Sequence, residues 1–144
     1  MIQQAQQQDA LAAATLALLL WPNHTVEEFY ENMTQLLQDE SAAIFLAYDR
    51  DKAIGFAQCQ LRTDYVEGTH SSPVGYLEGL FVMERYRQQG FARELVAHCE
   101  QWAKTMGCLE FASDCEWDNN ESLQVHLQLG FTEANRIICF TKKI

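Results

Sequence analysis

The sequence predicts a single α/β domain built around one strand–loop–helix–strand unit. Residues 77–82 alternate and are rich in aromatic side chains, which is typical of a strand, whereas apolar residues from Phe91 onward return at three- and four-residue steps on one helix face. An apolar stretch, 109–113, follows the glycine that ends this helix. Because a strand–helix–strand crossover makes its two strands parallel, they are expected to lie side by side. A chain of 144 residues suffices for one core.

A short edge strand and a first helix are predicted ahead of this unit. Residues 1–5 suggest the strand. Asp9 is the predicted N-cap of a helix that runs to about Leu20, where the dipeptide Trp21-Pro22 ends it. This helix is too short and too alanine-rich to span a bilayer, so it is expected to be buried in the protein.

A second helix and a β-hairpin follow. Thr25-Val-Glu-Glu28 has the form of a capping box, and the apolar residues after it form one helical stripe. The segments 42–48 and 53–61 predict two strands joined by a tight turn. The polar segment 63–73 is long enough to be a functional loop rather than a simple connection.

The last elements predicted are a short helix and two strands. Asp118 or Asn119 caps a helix through Gln128, which Gly130 ends. Residues 131–143 are predicted to form two strands around a turn near Asn135.

The net charge limits the classes of molecule that the protein is expected to bind. Twenty acidic residues against ten basic ones give a net charge of −10, which repels nucleic acid and anionic lipid and therefore argues against both as partners. A small polycation is the partner that this charge attracts. The alternative is that the charge only keeps the protein soluble.

The cysteines and histidines indicate the compartment and exclude a metal centre. The chain has five cysteines with no C-x-x-C pair, which favours reduced thiols in a cytoplasm. Cys59, Cys99 and Cys139 lie in apolar patterns and are predicted core residues. Four scattered histidines show no ligand spacing, so we expect no metal.

The loop that opens the central helix is a candidate phosphate site. At a helix N-terminus the first N–H groups lack partners and the helix dipole favours negative charge, and Gly90 and Ala92 are small enough for an anion to approach the main chain. The loop lacks the Gly-Lys-Ser/Thr ending of a nucleotide P-loop and the three glycines of a dinucleotide site. Ordinary turn chemistry is the alternative for the glycine alone.

The pattern Arg87-x-x-Gly90-x-Ala92 between a strand and a helix resembles the acetyl-CoA motif of the GNAT superfamily of N-acetyltransferases. The resemblance covers essentially the whole chain. Within that superfamily, Trp21-Pro22, the Tyr65 loop and the strings 72–79 and 110–114 look like those of bacterial aminoglycoside 6'-N-acetyltransferases. The resemblance implies a mixed, mostly antiparallel sheet with splayed parallel central strands, about four helices, and a homodimer with the 63–73 loop and C-terminal strands near its interface.

The same resemblance implies where acetyl-CoA binds. The pantetheine arm is expected in the gap between the splayed strands, where exposed N–H groups also face the developing oxyanion. The predicted cofactor contacts are Leu80, Phe81, Val82, Arg87, Gln88, Gln89, Gly90, Phe91, Ala92 and Asn119.

Three titratable residues are the catalytic candidates. Glu78 lies in a predicted buried strand, where a carboxylate is costly unless paired or used, and an ion pair with Arg62 or Arg93 is the alternative. The resemblance places Asp114 against the substrate amine, to hold the ammonium and relay its proton through water. His126 stands where the superfamily has a tyrosine that protonates the thiolate; a histidine merely packed near the helix end is the alternative.

Aromatic residues are candidates to line the wall of the substrate-binding site, called the substrate wall below. Trp21 and Tyr65 are expected to bind the substrate together with Glu78 and Asp114, because aromatic faces suit sugar rings and ammonium groups. For Trp117, core packing or a dimer contact is equally consistent with the sequence.

The resemblance thus predicts acetyl-CoA-dependent acetylation of the 6'-amine of an aminoglycoside. A polyamine, a protein N-terminus or a lysine is an alternative acceptor. A non-catalytic acyl-CoA-binding module is the alternative of another class, although such a module would need no carboxylates at an amine site.

Overall fold

A computed structural model describes residues 1–144 and shows one five-stranded sheet with strand order β1-β2-β3-β4-β5. Neighbouring strands are antiparallel except β4 and β5, which are parallel. The strands are β1 (Ile2–Gln4), β2 (Ala42–Asp49), β3 (Lys52–Arg62), β4 (Val74–Val82) and β5 (Phe111–Ser113). The α-helices are α1 (Ala10–Leu20), α2 (Val26–Gln38), α3 (Phe91–Thr105) and α4 (Asn120–Gln128). The predicted fold class is confirmed.

Helices α1 and α2 cover one face of the sheet. Buried alanines on α1, such as Ala13 and Ala17, allow close packing, and Met33 of α2 joins them over Phe56 of β3. Thr25 caps α2 as predicted by accepting a hydrogen bond from Glu28 N at 3.2 Å. Asp9 does not cap α1 with its side chain; its carboxylate instead accepts from the backbone N of Gln6 at 2.8 Å.

Helix α3 covers the opposite face. Its buried residues Leu95 and Cys99 pack on Cys59 and Leu77 of the central strands. Gly107 ends the helix with φ +93°, as predicted. No helix is both long and apolar enough to cross a membrane.

Two predictions for the C-terminal part of the chain are wrong. Residues 131–144 form no strand, and Cys139, predicted to lie in the core, is exposed, whereas Cys59 and Cys99 are buried. A strand requires a neighbour for its backbone, and side-chain pattern alone does not indicate whether the same chain supplies one.

Candidate active site

The parallel strands β4 and β5 separate after three residue pairs. Their paired residues end at Leu77 and Ser113, after which β4 continues to Val82 while β5 stops. The backbone of 78–82 therefore has no strand partner on the β5 side. This is the predicted gap between splayed strands, and on its other side β4 stays paired with β3 as far as Val82.

Glu78 occupies a β-bulge. Leu77 pairs with Cys59 and Gly79 pairs with Gln58, so that Glu78 is the extra residue of β4. A bulge re-aims the side chain of the inserted residue and increases the local twist. The bulge thus coincides with the point where β4 and β5 diverge.

The carboxylate of Glu78 is held by Arg62 from the end of β3. The Nη2 atom of Arg62 donates to Oε1 at 2.8 Å and to Oε2 at 3.0 Å, and its Nε donates to Oε1 at 3.0 Å. This is the ion pair that the sequence offered as the alternative to a purely catalytic Glu78. The side chain of Glu78 remains 22 % exposed, so the pair borders solvent.

Tyr76 connects this pair to Asp114. The Arg62 guanidinium lies over the Tyr76 ring, with Cζ 3.4 Å from the ring centroid, and the Tyr76 hydroxyl donates to Asp114 Oδ2. Burial, and then the hydrogen bond to Asp114, raise the pKa of Tyr76 well above its ordinary value, so that it stays a donor at neutral pH. The other carboxylate oxygen of Asp114 has no protein partner. Arg62, one of the two ion-pair partners predicted for Glu78, and Tyr76, which the sequence does not single out, thus bring Asp114 and Glu78 into one network.

His126 is connected to the gap between β4 and β5 only indirectly, through a hydrogen bond to a serine. Its Nδ1 lies 2.7 Å from the carbonyl oxygen of Ser122, which can only accept, so Nδ1 carries a proton. Its Nε2 lies 2.8 Å from Ser113 Oγ, and that hydroxyl is 3.3 Å from Leu77 O, at the last pair before the strands separate. A proton on His126 would therefore reach the gap by way of Ser113.

Trp21 lies beside the bulge, as its predicted place in the substrate wall requires. Its ring packs on Phe29 and Phe56, with centroids 5.8 and 6.1 Å apart, and covers Gly79. A Cβ at Gly79 would lie 2.7 Å from the indole, so the glycine admits the ring.

The other two aromatic candidates are exposed. Tyr65 is 80 % exposed and donates to Glu67 at 3.0 Å, and the structure does not bring it to the carboxylates. Trp117 is 77 % exposed, so the core-packing alternative for this residue is wrong.

The loop before α3 presents a row of unpaired backbone donors. Neither the loop nor the first turn of the helix supplies acceptors for the N–H groups of 88–93. Gln88 and Gly90 have φ values of +61° and +91°, and a Cβ on Gly90 would meet no atom within 4 Å. Left-handed residues interspersed with right-handed ones turn successive N–H groups toward one concavity, which binds anions. The positive φ of Gln88 has no signal in the sequence.

Two residues predicted to contact the cofactor make hydrogen bonds within the chain. Arg87 Nε donates to Val82 O at 2.8 Å, which ties the loop to the end of β4. Asn119 caps α4 by accepting from Ser122 N at 3.1 Å. No group of three His, Cys, Asp or Glu side chains is arranged to hold a metal ion.

The residues that the sequence reasoning missed act through contacts distant in the chain. Ser113 has no sequence signal beyond its place at the end of a predicted strand, whereas Arg62 is one of the two ion-pair partners predicted for Glu78. The alternation of β4 could have pointed to Tyr76, because it lies two positions before Glu78 and so shares its face in a regular strand.

Comparison with known proteins identifies relatives along nearly the whole chain. The family model described as "Acetyltransferase (GNAT) family" matches residues 9–131. An aminoglycoside N(6')-acetyltransferase type 1 from Acinetobacter genomosp. 13 is 44% identical over 139 residues, covering 94% of each chain. One from Salmonella typhimurium is 42% identical over 124 residues, covering 86% of each chain.

Solved structures agree with this sequence comparison. The crystal structure of an aminoglycoside 6'-N-acetyltransferase from Acinetobacter baumannii superposes with a TM-score of 0.95 at 39% identity, covering 100% of this chain and 98% of that one. The enzyme AAC(6')-Iy in complex with the bisubstrate analogue CoA-S-monomethyl-acetylneamine gives a TM-score of 0.95 at 38% identity, covering 100% and 98% of the two chains.

Proposed function

Because the chain belongs to the GNAT acetyltransferase family, we propose that it transfers the acetyl group of acetyl-CoA to the 6'-amine of aminoglycosides. The relatives compared above are named for this activity. The observation that carries the proposal is the gap between β4 and β5, which has anion-binding main chain at the end of one strand and Asp114 at the end of the other. An anionic thioester and a cationic amine can therefore meet in one cleft.

The donor binds by its phosphates and its pantetheine arm. The N–H groups of 88–93 and the dipole of α3 hold the phosphates. The arm lies along the free backbone of 80–82, whose N–H groups also stabilise the charge on the carbonyl oxygen as the amine attacks.

The acceptor binds through the carboxylate network. The unpartnered oxygen of Asp114 accepts from the substrate ammonium, and Trp21 packs against a sugar ring. Asp114 takes a proton from the ammonium and passes it to water, which leaves a neutral amine. Glu78 is held by Arg62, so it contributes by ordering this network and the bulge.

The chemical step is direct attack of the substrate amine on the thioester of acetyl-CoA. The amine nitrogen bonds to the carbonyl carbon, the carbon–sulfur bond breaks, and the sulfur leaves with the electron pair and takes up a proton. In its imidazolium form, with a proton on each ring nitrogen, His126 donates from Nε2 to Ser113, whose hydroxyl donates to the thiolate, and the neutral imidazole that is left takes up a proton from solvent before the next turnover.

The test is thiol release from acetyl-CoA with matched acceptors. Two aminoglycosides that differ only in an amine or a hydroxyl at the 6' position are compared with spermidine and lysine peptides. We expect turnover with the 6'-amine and none with its 6'-hydroxyl counterpart. Turnover that is faster with spermidine or with a peptide would replace the aminoglycoside proposal. Absence of turnover with all acceptors, together with measurable CoA binding, would favour a non-catalytic module.

The proposal extends to assembly and compartment. We propose a homodimer, with a sedimentation mass near twice 16.5 kDa. A cytoplasmic location agrees with five free cysteines and with the use of acetyl-CoA. Expression in a susceptible bacterium should raise the inhibitory concentration of 6'-amino drugs but not of 6'-hydroxyl ones.

A further inference from the structure

The side chain of Asp114 has one hydrogen-bond partner in the chain, the hydroxyl of Tyr76. Asp114 is exposed and lies just beyond the last residue of β5, so strand pairing does not restrain it. An exposed aspartate without a partner samples several staggered rotamers about χ1 and turns either oxygen toward a ligand. The direction of this carboxylate therefore depends on a single contact.

The register of the parallel strands explains why Tyr76 makes this contact. Tyr76 pairs with Ala112, and Asp114 follows Ala112 by two residues, which places it on the same face in a continuing strand. The side chain of Tyr76 spans this two-residue step and brings its hydroxyl to the carboxylate. The contact thus crosses the point where β4 and β5 separate, after the pair Leu77 and Ser113.

Tyr76 is itself fixed in place. It is 6 % exposed and packs with Val66, Val74 and Ala112. The guanidinium of Arg62 lies over its ring, with Cζ 3.4 Å from the ring centroid. Because close packing restricts a buried ring to one orientation, the hydroxyl occupies a defined point at the edge of the gap.

Arg62 is fixed in turn by Glu78. Three hydrogen bonds of 2.8 to 3.0 Å join the guanidinium to the Glu78 carboxylate and hold it over Tyr76. Only a planar guanidinium can stack on a ring and grip a carboxylate at the same time. The charges of Arg62 and Glu78 compensate each other, which leaves Asp114 as the uncompensated charge of the network.

The hydroxyl of Tyr76 acts on Asp114 as a donor. Burial raises the pKa of Tyr76, so the phenol keeps its proton at neutral pH. That one proton is directed at Oδ2 and leaves Oδ1 with its lone pairs available. Oδ1 is therefore the oxygen that is open to a substrate ammonium.

We propose that Tyr76 is a positioning residue for acetyl transfer, whose hydroxyl holds Oδ2 of Asp114 so that Oδ1 faces the gap and receives the ammonium proton. The inference rests on the acetyl transfer proposed above and adds the residue that orients its base. In this step the N–H bond of the ammonium breaks, and the proton bonds to Oδ1 and then passes to water. The hydroxyl of Tyr76 keeps its own proton throughout.

The orientation of Asp114 is measured without substrate, by NMR couplings that report χ1. In the unmodified protein we expect a single χ1 rotamer for Asp114. Tyr76→Phe keeps the ring and its packing but removes the donor, so Asp114 should then average over rotamers like the exposed Asp118. Averaging in the unmodified protein, or a single rotamer in both proteins, would overturn the proposal. This readout decides the proposal even if the enzymatic proposal fails.

Steady-state kinetics tests whether the orientation matters for the reaction. Tyr76→Phe should lower kcat at least ~tenfold and leave the KM of acetyl-CoA unchanged. Tyr48→Phe is the matched control, because the hydroxyl of Tyr48 also lies near a carboxylate, that of Asp9, but on β2, two strands away from β4. A lower Tm with normal kcat in Tyr76→Phe would show a role in packing alone and would overturn the proposal.

A double variant shows whether Tyr76 acts through Asp114. In the Asp114→Asn background, Tyr76→Phe should lower kcat by no more than about a further twofold, because the base that it orients is already absent. An equal loss in both backgrounds would mean that Tyr76 acts by another route. If the unmodified protein acetylates no acceptor, the enzymatic proposal fails, and the rotamer measurement still reports on Tyr76.

Discussion

Asp114 and Glu78 are both carboxylates at the gap between β4 and β5, but their partners differ. Glu78 uses both oxygens on Arg62, whereas Asp114 accepts from Tyr76 with one oxygen and keeps the other free. A proton acceptor needs an available lone pair near the amine. The geometry therefore favours Asp114 as the base.

We expect Asp114→Asn to lower turnover by about 10²–10⁴, the range for a lost acid–base group, with acetyl-CoA affinity nearly unchanged. Asparagine keeps the acceptor for Tyr76 but loses the basic oxygen. Glu116→Gln is the matched control, because it removes the same charge two residues away. Near-normal saturating turnover in Asp114→Asn, with a raised KM that depends on salt, would mean that Asp114 only attracts the cation.

The route from His126 through Ser113 predicts non-additive losses. Ser113→Ala and His126→Gln should each lower turnover by roughly tenfold or more, and the double variant should lose little beyond the larger single effect. Ser122→Ala is the control, because Ser122 holds His126 mainly through its carbonyl oxygen, which that substitution keeps. Fully additive losses in steady-state turnover would show that the two residues act separately.

At the scale of single elements, the loop before α3 carries unpaired backbone donors, and the bulge in β4 lies where β4 and β5 diverge. The loop depends on left-handed backbone at Gln88 and Gly90, and the bulge depends on the register between β3 and β4. Both features separate main-chain donors from their usual partners and keep the surrounding element intact. The proposed binding of acetyl-CoA thus relies largely on backbone groups.

Substitution of the two glycines at opposite ends of α3 distinguishes an effect on CoA binding from an effect of backbone strain. Gly90 and Gly107 have φ of +91° and +93°, and an added Cβ meets nothing at either position. Alanine at either should therefore destabilise the fold by a similar amount, about 1 kcal/mol. Only Gly90→Ala should weaken CoA binding at least tenfold, or roughly 1.4 kcal/mol, when measured by calorimetry. Equal CoA affinity in the two folded variants would remove the loop from the phosphate site.

At the scale of the whole molecule, charge is distributed unevenly. The net charge of −10 produces a field that attracts a polycation, while residues 132–144 carry three basic residues and only one acidic residue. In the proposed binding mode, the acetyl-CoA anion binds against this field through localised backbone donors.

Salt should therefore affect the two substrates differently. Raising ionic strength from about 0.02 M to about 0.5 M should increase the KM of a multiply charged aminoglycoside by roughly tenfold, because screening removes the long-range attraction. The KM of acetyl-CoA should stay constant or fall. A monoamine acceptor serves as the control with weak salt dependence. A similar rise for both acceptors would argue against steering by the net charge.

Much of the fold follows from local signals in the sequence. The helix from Phe91 has one apolar face, Thr25 supplies a cap, and the crossover rule makes β5 parallel to β4, so each of these predictions is confirmed. The prediction of two C-terminal strands is wrong because it rests on composition alone. Residues 137–141 have the composition of a strand, but strand formation depends on a partner elsewhere.

Within the candidate site, the sequence identified which residues carry charge but not what each one contacts. Arg62 and Glu78 are sixteen residues apart, and Ser113 and His126 thirteen, so no local pattern links them. The register shift that inserts Glu78 is likewise a property of two paired strands. Only the folded chain relates these residues.

The sequence by itself determined the place of the loop before α3, the strand–helix–strand unit and the net negative charge, because each depends on residues close together in the chain or on composition. The tertiary structure alone decided that Arg62 neutralises Glu78, that Tyr76 orders Asp114, and that residues 137–144 make no backbone hydrogen bond within the chain. These outcomes depend on which atoms strand pairing and packing bring within a few ångströms, and that proximity is fixed only when the whole chain folds.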